Sequence, residues 1–228
     1  MKKVIFGIFA HPDDEAFGPA GTLLLETKAG TELHLITLTA GEAGTNEDDI
    51  KNLGEHRLKE WQRAGALLGA TSMHYFGYKD GHLDNHDMVE IADRIVHLVG
   101  DISDGLPHDA SIEFMGFDFS GLSGHIDHIV ATRAACLAFY RLRDNDSRFA
   151  RMRLACLPKT LHPKHNVRWL YMEQGRDESE IDEVIDAREL RDDIIAIMGA
   201  HASQRIDFEN YLKIQGENLG LNYFVIKT

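Results

Sequence analysis

The chain has 228 residues, 43% of them hydrophobic, and a formal net charge of −13. The length suits one α/β domain over residues 1–228, since no Pro/Ser/Gly-rich linker divides it. The acidity argues against nucleic acid or an anionic membrane surface as partner, because both are gripped by basic patches. Met1, Lys2 and Lys3 before an apolar run imitate an export signal, but no small-residue cleavage site follows. No run approaches the ~20 apolar residues of a membrane span. Cys136 and Cys156 have no paired spacing and read as reduced packing residues of a cytoplasmic protein.

Residues 4–10 (VIFGIFA) have the pattern of a strand covered on both faces. Pro12 forces the chain out of the sheet, so His11, Asp13, Asp14 and Glu15 fall just beyond the strand's carboxyl end, where open α/β sheets bind ligands. His11 and Asp14 can converge on one ion and leave Asp13 free as a base; the same acidic turn would equally suit a solvated helix start. Residues 18–30 read as a helix stopped at Gly30, residues 32–39 as a second strand, and residues 40–45 as a loop at its carboxyl end. Glu42 in that loop is either a supporting group or a solvated carboxylate. Apolar residues recur at helical spacing through 50–69, with Arg57 among the polar positions between them.

Residues 72–78 make a third strand, followed by a loop with Asp80 and Gly81; residues 87–99 make a helix, and 110–115 a fourth strand. Alternation at this spacing predicts a Rossmann-like, doubly wound, mostly parallel sheet with helices on both faces. After the fourth strand, Gly121 and Gly124 give a tight turn, Ser123 is a candidate cap, and residues 129–140 continue as a helix. His125 and His128 then share one face of its first turn, close to the first cluster. Residues 141–153 look charged and exposed, 169–172 read as a late strand, and 181–199 as one long helix running into His201, either a site residue or a cap.

Ala-His-Pro-Asp-Asp-Glu at 10–15 together with Gly-Leu-Ser-Gly-His-Ile-Asp-His at 121–128 resembles the PIG-L/LmbE family of zinc-dependent de-N-acetylases. Weaker matches in the same order are Thr39-Ala40-Gly41-Glu42, Arg57 to Glu60, Asp80-Gly81, and Ala200 to Gln204. Ile126 departs from the proline of many relatives. The resemblance implies one zinc, with iron as an alternative, held by His11, Asp14 and His128. It further implies Asp13 as general base, His125 polarising the substrate carbonyl, and Asp127 orienting a neighbouring imidazole. Arg57 and Asp80 become candidates for binding the sugar, and the substrate an N-acetylglucosamine conjugate that loses its acetyl group. Relatives also assemble as trimers or hexamers, so a homo-oligomer belongs among the implied partners. Two other classes stay open: a metal-dependent phosphoesterase, whose two ions would need more ligands than these three, and a sugar- or metal-binding protein without turnover.

Overall fold

The computed structural model describes residues 1–161 and 175–228. Their elements, in chain order, begin with β1 (Lys3–Phe9), α1 (Asp14–Phe17), α2 (Ala20–Lys28), β2 (Glu32–Thr39), α3 (Leu53–Leu68) and β3 (Ser72–Tyr78). There follow α4 (Asp87–Ser103), β4 (Ser111–Phe117), α5 (Gly121–Gly124), α6 (Ile126–Arg143) and β5 (Phe149–Cys156). The chain closes with β6 (Glu183–Asp186), α7 (Arg191–Gly199), α8 (Arg205–Gln215) and β7 (Leu221–Lys227).

The strands form one sheet in the order β3-β2-β1-β4-β5-β7-β6. The first five run parallel, and β7 then pairs antiparallel with both β5 and β6. The expected doubly wound sheet is therefore present, extended by an antiparallel pair from the end of the chain. Alternation along β1 shows why the sheet is covered twice. Val4, Phe6 and Ile8 point into a core built with α4 and α6, while Ile5 and Phe9 point into a second core with α2, α3 and α7. The chain winds from β1 outward to β2 and β3 on one side and then crosses back from β3 to β4 on the other side of β1, so the switch point of the topology lies between β1 and β4. Both histidine clusters start there.

The last third departs from the sequence-based expectations. The helix expected over 181–199 is a strand, β6, then a 3-10 turn at Arg188–Leu190, and only then α7. Ile185 and Leu190 do reach the core, but from two elements rather than from one helical stripe. The stretch 141–153, expected to be exposed, ends inside β5, where Arg153 is 1% exposed and donates to Glu26 Oε1 at 2.8 Å and meets Glu113 Oε2 at 2.9 Å. Paired carboxylates make a buried arginine affordable, and charge alone had concealed the strand. Residues 169–172, read as a late strand, lie outside the described residues. The end of the chain is stitched to its beginning: Asn222 on β7 accepts from the Thr22 N–H and hydroxyl, both at 2.8 Å. No described helix is long and apolar enough to cross a membrane.

Candidate metal centre and catalytic pocket

The turn after β1 is built around Asp14. Its Oδ2 accepts from the backbone N–H of Ala10 at 3.1 Å and of His11 at 2.9 Å, which folds the chain back on itself and aims Oδ1 at His128 Nε2, 3.1 Å away. Asp13 is forced to φ 109°, a conformation few non-glycine residues adopt and one that strain-bearing sites display. Its N–H donates to Glu15 Oε2 at 3.2 Å, and its Oδ2 accepts from Arg57 Nη2 at 2.9 Å. Arg57 also donates to the carbonyls of Pro12 and Gly41, at 2.6 and 2.7 Å. Arg57 therefore clamps the turn that carries Asp13, and it also lines the cavity.

The second cluster comes from the start of α6. Ser123 is not its cap; His125 is, with Nδ1 accepting from the Asp127 N–H at 3.2 Å. A ring nitrogen that accepts carries no proton, so neutral His125 has its N–H on Nε2. Burial and the neighbouring His128 and His11 rings lower the His125 pKa and keep it neutral. His128 Nδ1 meets the Gly121 carbonyl at 2.9 Å, and a carbonyl can only accept, so in a neutral His128 ring the nitrogen left without a proton is Nε2, which faces Asp14 Oδ1.

His11 follows the same logic. Its Nε2 faces two carboxylates, Asp80 Oδ1 at 3.0 Å and Asp127 Oδ2 at 3.3 Å, and must donate. In the neutral ring this leaves Nδ1 bare, 3.0 Å from the bare Nε2 of His128. With both rings neutral, two lone pairs and the Asp14 carboxylate face one another; in the metal-free protein, where the surrounding carboxylates favour a cationic His11, a proton on Nδ1 occupies the place that an ion would fill. Such a donor set fits a divalent ion of the borderline class. Two other groups also bring ligand atoms within 4.8 Å: His11 with His125 and His128, and His11 with Asp80 and Asp127. The first includes His125, whose Nδ1 is already committed to the Asp127 N–H. In the second, Asp127 also accepts from the Gly81 and Leu83 N–H groups and Asp80 from that of Ala43, so these carboxylates hold the His11 ring in place. Asp80 is therefore behind His11 as well as beside the cavity, and Glu42 in turn accepts from the Asp80 N–H at 2.9 Å.

Charge is distributed accordingly. Burial works against a cationic His11, yet Asp127, Asp80 and Asp14 outweigh it and push its pKa up to about 10. Burial would raise Asp14, but His128 and His11 hold it well below the usual carboxylate range. Asp13 goes the other way, raised to about 6 by burial and by Asp14 against the pull of Arg57. Adjacent carboxylates whose pKa values are driven apart suit two different tasks.

All eight residues singled out from the sequence converge on this place. His201 is no cap; it is fully buried, and its Nε2 lies 2.8 Å from Glu15 Oε1, the carboxylate that also holds the Asp13 N–H. The centre opens into a cavity of about 490 Å³ lined also by Phe17, Leu122, Asp207, Tyr211, Ile214 and Gln215. The α8 residues escaped the sequence reading, although Asp207, Tyr211 and Gln215 follow one another at a spacing of four along one helical face.

The family profile of PIG-L, described as GlcNAc-PI de-N-acetylase, matches residues 6–139, which contain both clusters. The chain belongs to the PIG-L family. Among relatives within reach of its sequence, a 1D-myo-inositol 2-acetamido-2-deoxy-alpha-D-glucopyranoside deacetylase of Nocardioides sp. is 32% identical over 58% of this chain and 53% of its own. A probable N-acetyl-alpha-D-glucosaminyl L-malate deacetylase 2 of Bacillus subtilis is 27% identical across 100% of this chain and 94% of its own. The chain spans about half the length of the inositol-conjugate deacetylases it matches. The PIG-L fold is also that of the N,N'-diacetylchitobiose deacetylase from Pyrococcus horikoshii, with a TM-score of 0.70 and 18% identity over 99% of this chain and 84% of that one.

Proposed function

We propose that this protein is a metal-dependent amide hydrolase that removes the acetyl group from an N-acetylglucosamine conjugate. The observation that supports it best is the convergence of two imidazole nitrogens, His11 Nδ1 and His128 Nε2, 3.0 Å apart beside Asp14, with Asp13 on the adjoining residue. His11, Asp14 and His128 would hold the ion, zinc or alternatively iron. Such an ion supplies a Lewis acid for the amide carbonyl and lowers the pKa of water toward 7.

The chain's own residues do the rest. Asp13, ionised and oriented by Arg57, accepts the proton of the attacking water and returns it to the departing amine. His125 donates from Nε2 to the oxygen on which negative charge develops, as a preformed donor in a partly desolvated site. Asp127 and Asp80 fix the His11 tautomer, so that Nδ1 faces the ion.

The test is acetate release from N-acetylglucosamine conjugates by metal-loaded protein, with metal content measured in parallel. Wild type should carry one ion per chain and release acetate, and His128→Ala should lose most of its metal while keeping its far-ultraviolet circular dichroism. Full metal occupancy in His128→Ala would remove the ligand assignment. Two ions per chain would favour a phosphoesterase.

A further inference from the structure

The cavity has a far wall that none of these roles uses. Asp207, Tyr211, Ile214 and Gln215 lie on one face of α8 and all line the cavity. Tyr211 packs edge-on against Phe17, the last residue of the helix that carries Asp14, with ring centroids 5.7 Å apart, so this wall is tied to the metal centre. Gln215 is 3% exposed, and its Nε2 has no hydrogen-bond partner among the described residues. A buried amide donor without an acceptor is costly, and at a cavity wall it is the mark of a position that a ligand oxygen completes.

We propose that this face of α8 is the acceptor subsite, which takes an uncharged polyhydroxylated ring, a cyclitol or second pyranose, in preference to a carboxylate-bearing acceptor. The proposal rests on the deacetylase reading only for which end of the substrate lies at the metal. Its chemistry is that of the wall itself. The Tyr211 ring offers an apolar platform to the C–H face of a ring, the Asp207 carboxylate accepts from hydroxyls, and the Gln215 amide donates to one. A dicarboxylate would instead meet Asp207 as a like charge. The one Lys or Arg among the described lining residues is Arg57, whose terminal nitrogens donate to Pro12, Gly41 and Asp13.

The test compares three conjugates of N-acetylglucosamine, with myo-inositol, with a second N-acetylglucosamine and with malate, on the metal-loaded protein. It adds calorimetric titration of the deacetylated inositol and malate products, which bind without turnover. The two neutral acceptors should exceed malate at least about tenfold in kcat/KM, and the inositol product should bind the tighter by a similar factor, the worth of one well-placed hydrogen bond. Gln215→Leu should reduce kcat/KM for the inositol conjugate relative to free N-acetylglucosamine by about tenfold, mainly through KM. Asp207→Asn should narrow the gap between inositol and malate by improving malate. Equal or tighter binding of the malate product, or a wild-type acceptor preference in both variants, would overturn the subsite. Discrimination in the titrations with no acetate released from any conjugate would leave the subsite standing and sink the deacetylase reading.

Discussion

Asp13 and Asp14 carry the same side chain, and the sequence separates them only by their spacing from His11, whereas in the fold they are separated by what their neighbours do to them. Asp14 accepts two backbone N–H groups and faces His128, so its charge is held, whereas Asp13 is buried beside another carboxylate and raised to about 6. Asp13→Asn should therefore retain metal and lose turnover by roughly 10²- to 10⁴-fold, the range for loss of a general base. Asp14→Asn should lose metal first. Metal content and acetate release on both variants check the assignment, and a metal-free Asp13→Asn protein contradicts it. The wild-type turnover curve should have an acid limb, because the base must be ionised, lying below the value of about 6 that Asp13 has in the metal-free site since a bound cation adds to the pull of Arg57; the limb should move to higher pH in Arg57→Gln, which removes a cation that lowers the Asp13 pKa. Both clusters and all of these residues were legible in the sequence, because two histidine-bearing turns each follow a strand. The division of labour inside them was less so. His125 could not be assigned a protonation state until its Nδ1 was seen to accept from the Asp127 N–H.

At the level of elements, α6 begins on a residue with two tasks. His125 caps the helix through Nδ1 and presents Nε2–H to the cavity, so His125→Ala should cost about 1 kcal/mol of stability as well as turnover. His125→Asn can restore the cap without the imidazole, and thermal unfolding beside acetate release should show stability recovered and activity still low. If turnover returned with the cap, the oxyanion role would be wrong. Strand β5 makes the opposite point about legibility. Its sequence, FARMRLAC, alternates only from Arg151 onward, after a register shift that follows Phe149; Arg151 and Arg153 among flanking arginines masked the pattern, and the carboxylates of Glu26 and Glu113 from α2 and β4 explain how Arg153 can be buried. Arg153→Ala should remove the buried cation from a cluster in which Lys3 still reaches Glu26 and Glu113 and Arg151 still reaches Glu113, and cost about 1 to 3 kcal/mol in urea unfolding. A loss below about 1 kcal/mol would mean that the pairing contributes little. The helix expected over 181–199 failed for a related reason: apolar residues of a short edge strand and of a following helix happened to fall near one periodicity.

For the molecule as a whole, the parallel half of the sheet was readable from strand and helix alternation, while β6, β7 and the α8 wall were not, because their partners lie far away in sequence. The metal centre also connects the fold to pH. In metal-free protein His11 is raised from an ordinary 6.5 to about 10 by the carboxylates around it, so its contribution to stability is fully present below about 6.5 and disappears as pH rises through about 10. An ion takes the place of that proton. The gap in melting temperature between metal-loaded and metal-free protein should therefore widen from pH 6.5 to 10, and a gap that narrowed would argue against His11 as a ligand. The stitch between Thr22 and Asn222, 200 positions apart, together with the His201 contact to Glu15, has a consequence for synthesis. A nascent chain exposes both histidine motifs to the cell long before the segments that brace them have left the ribosome's tunnel; the metal centre is thus completed late in the synthesis of this domain, and an early-arriving ion finds its ligands without the walls that select what else enters.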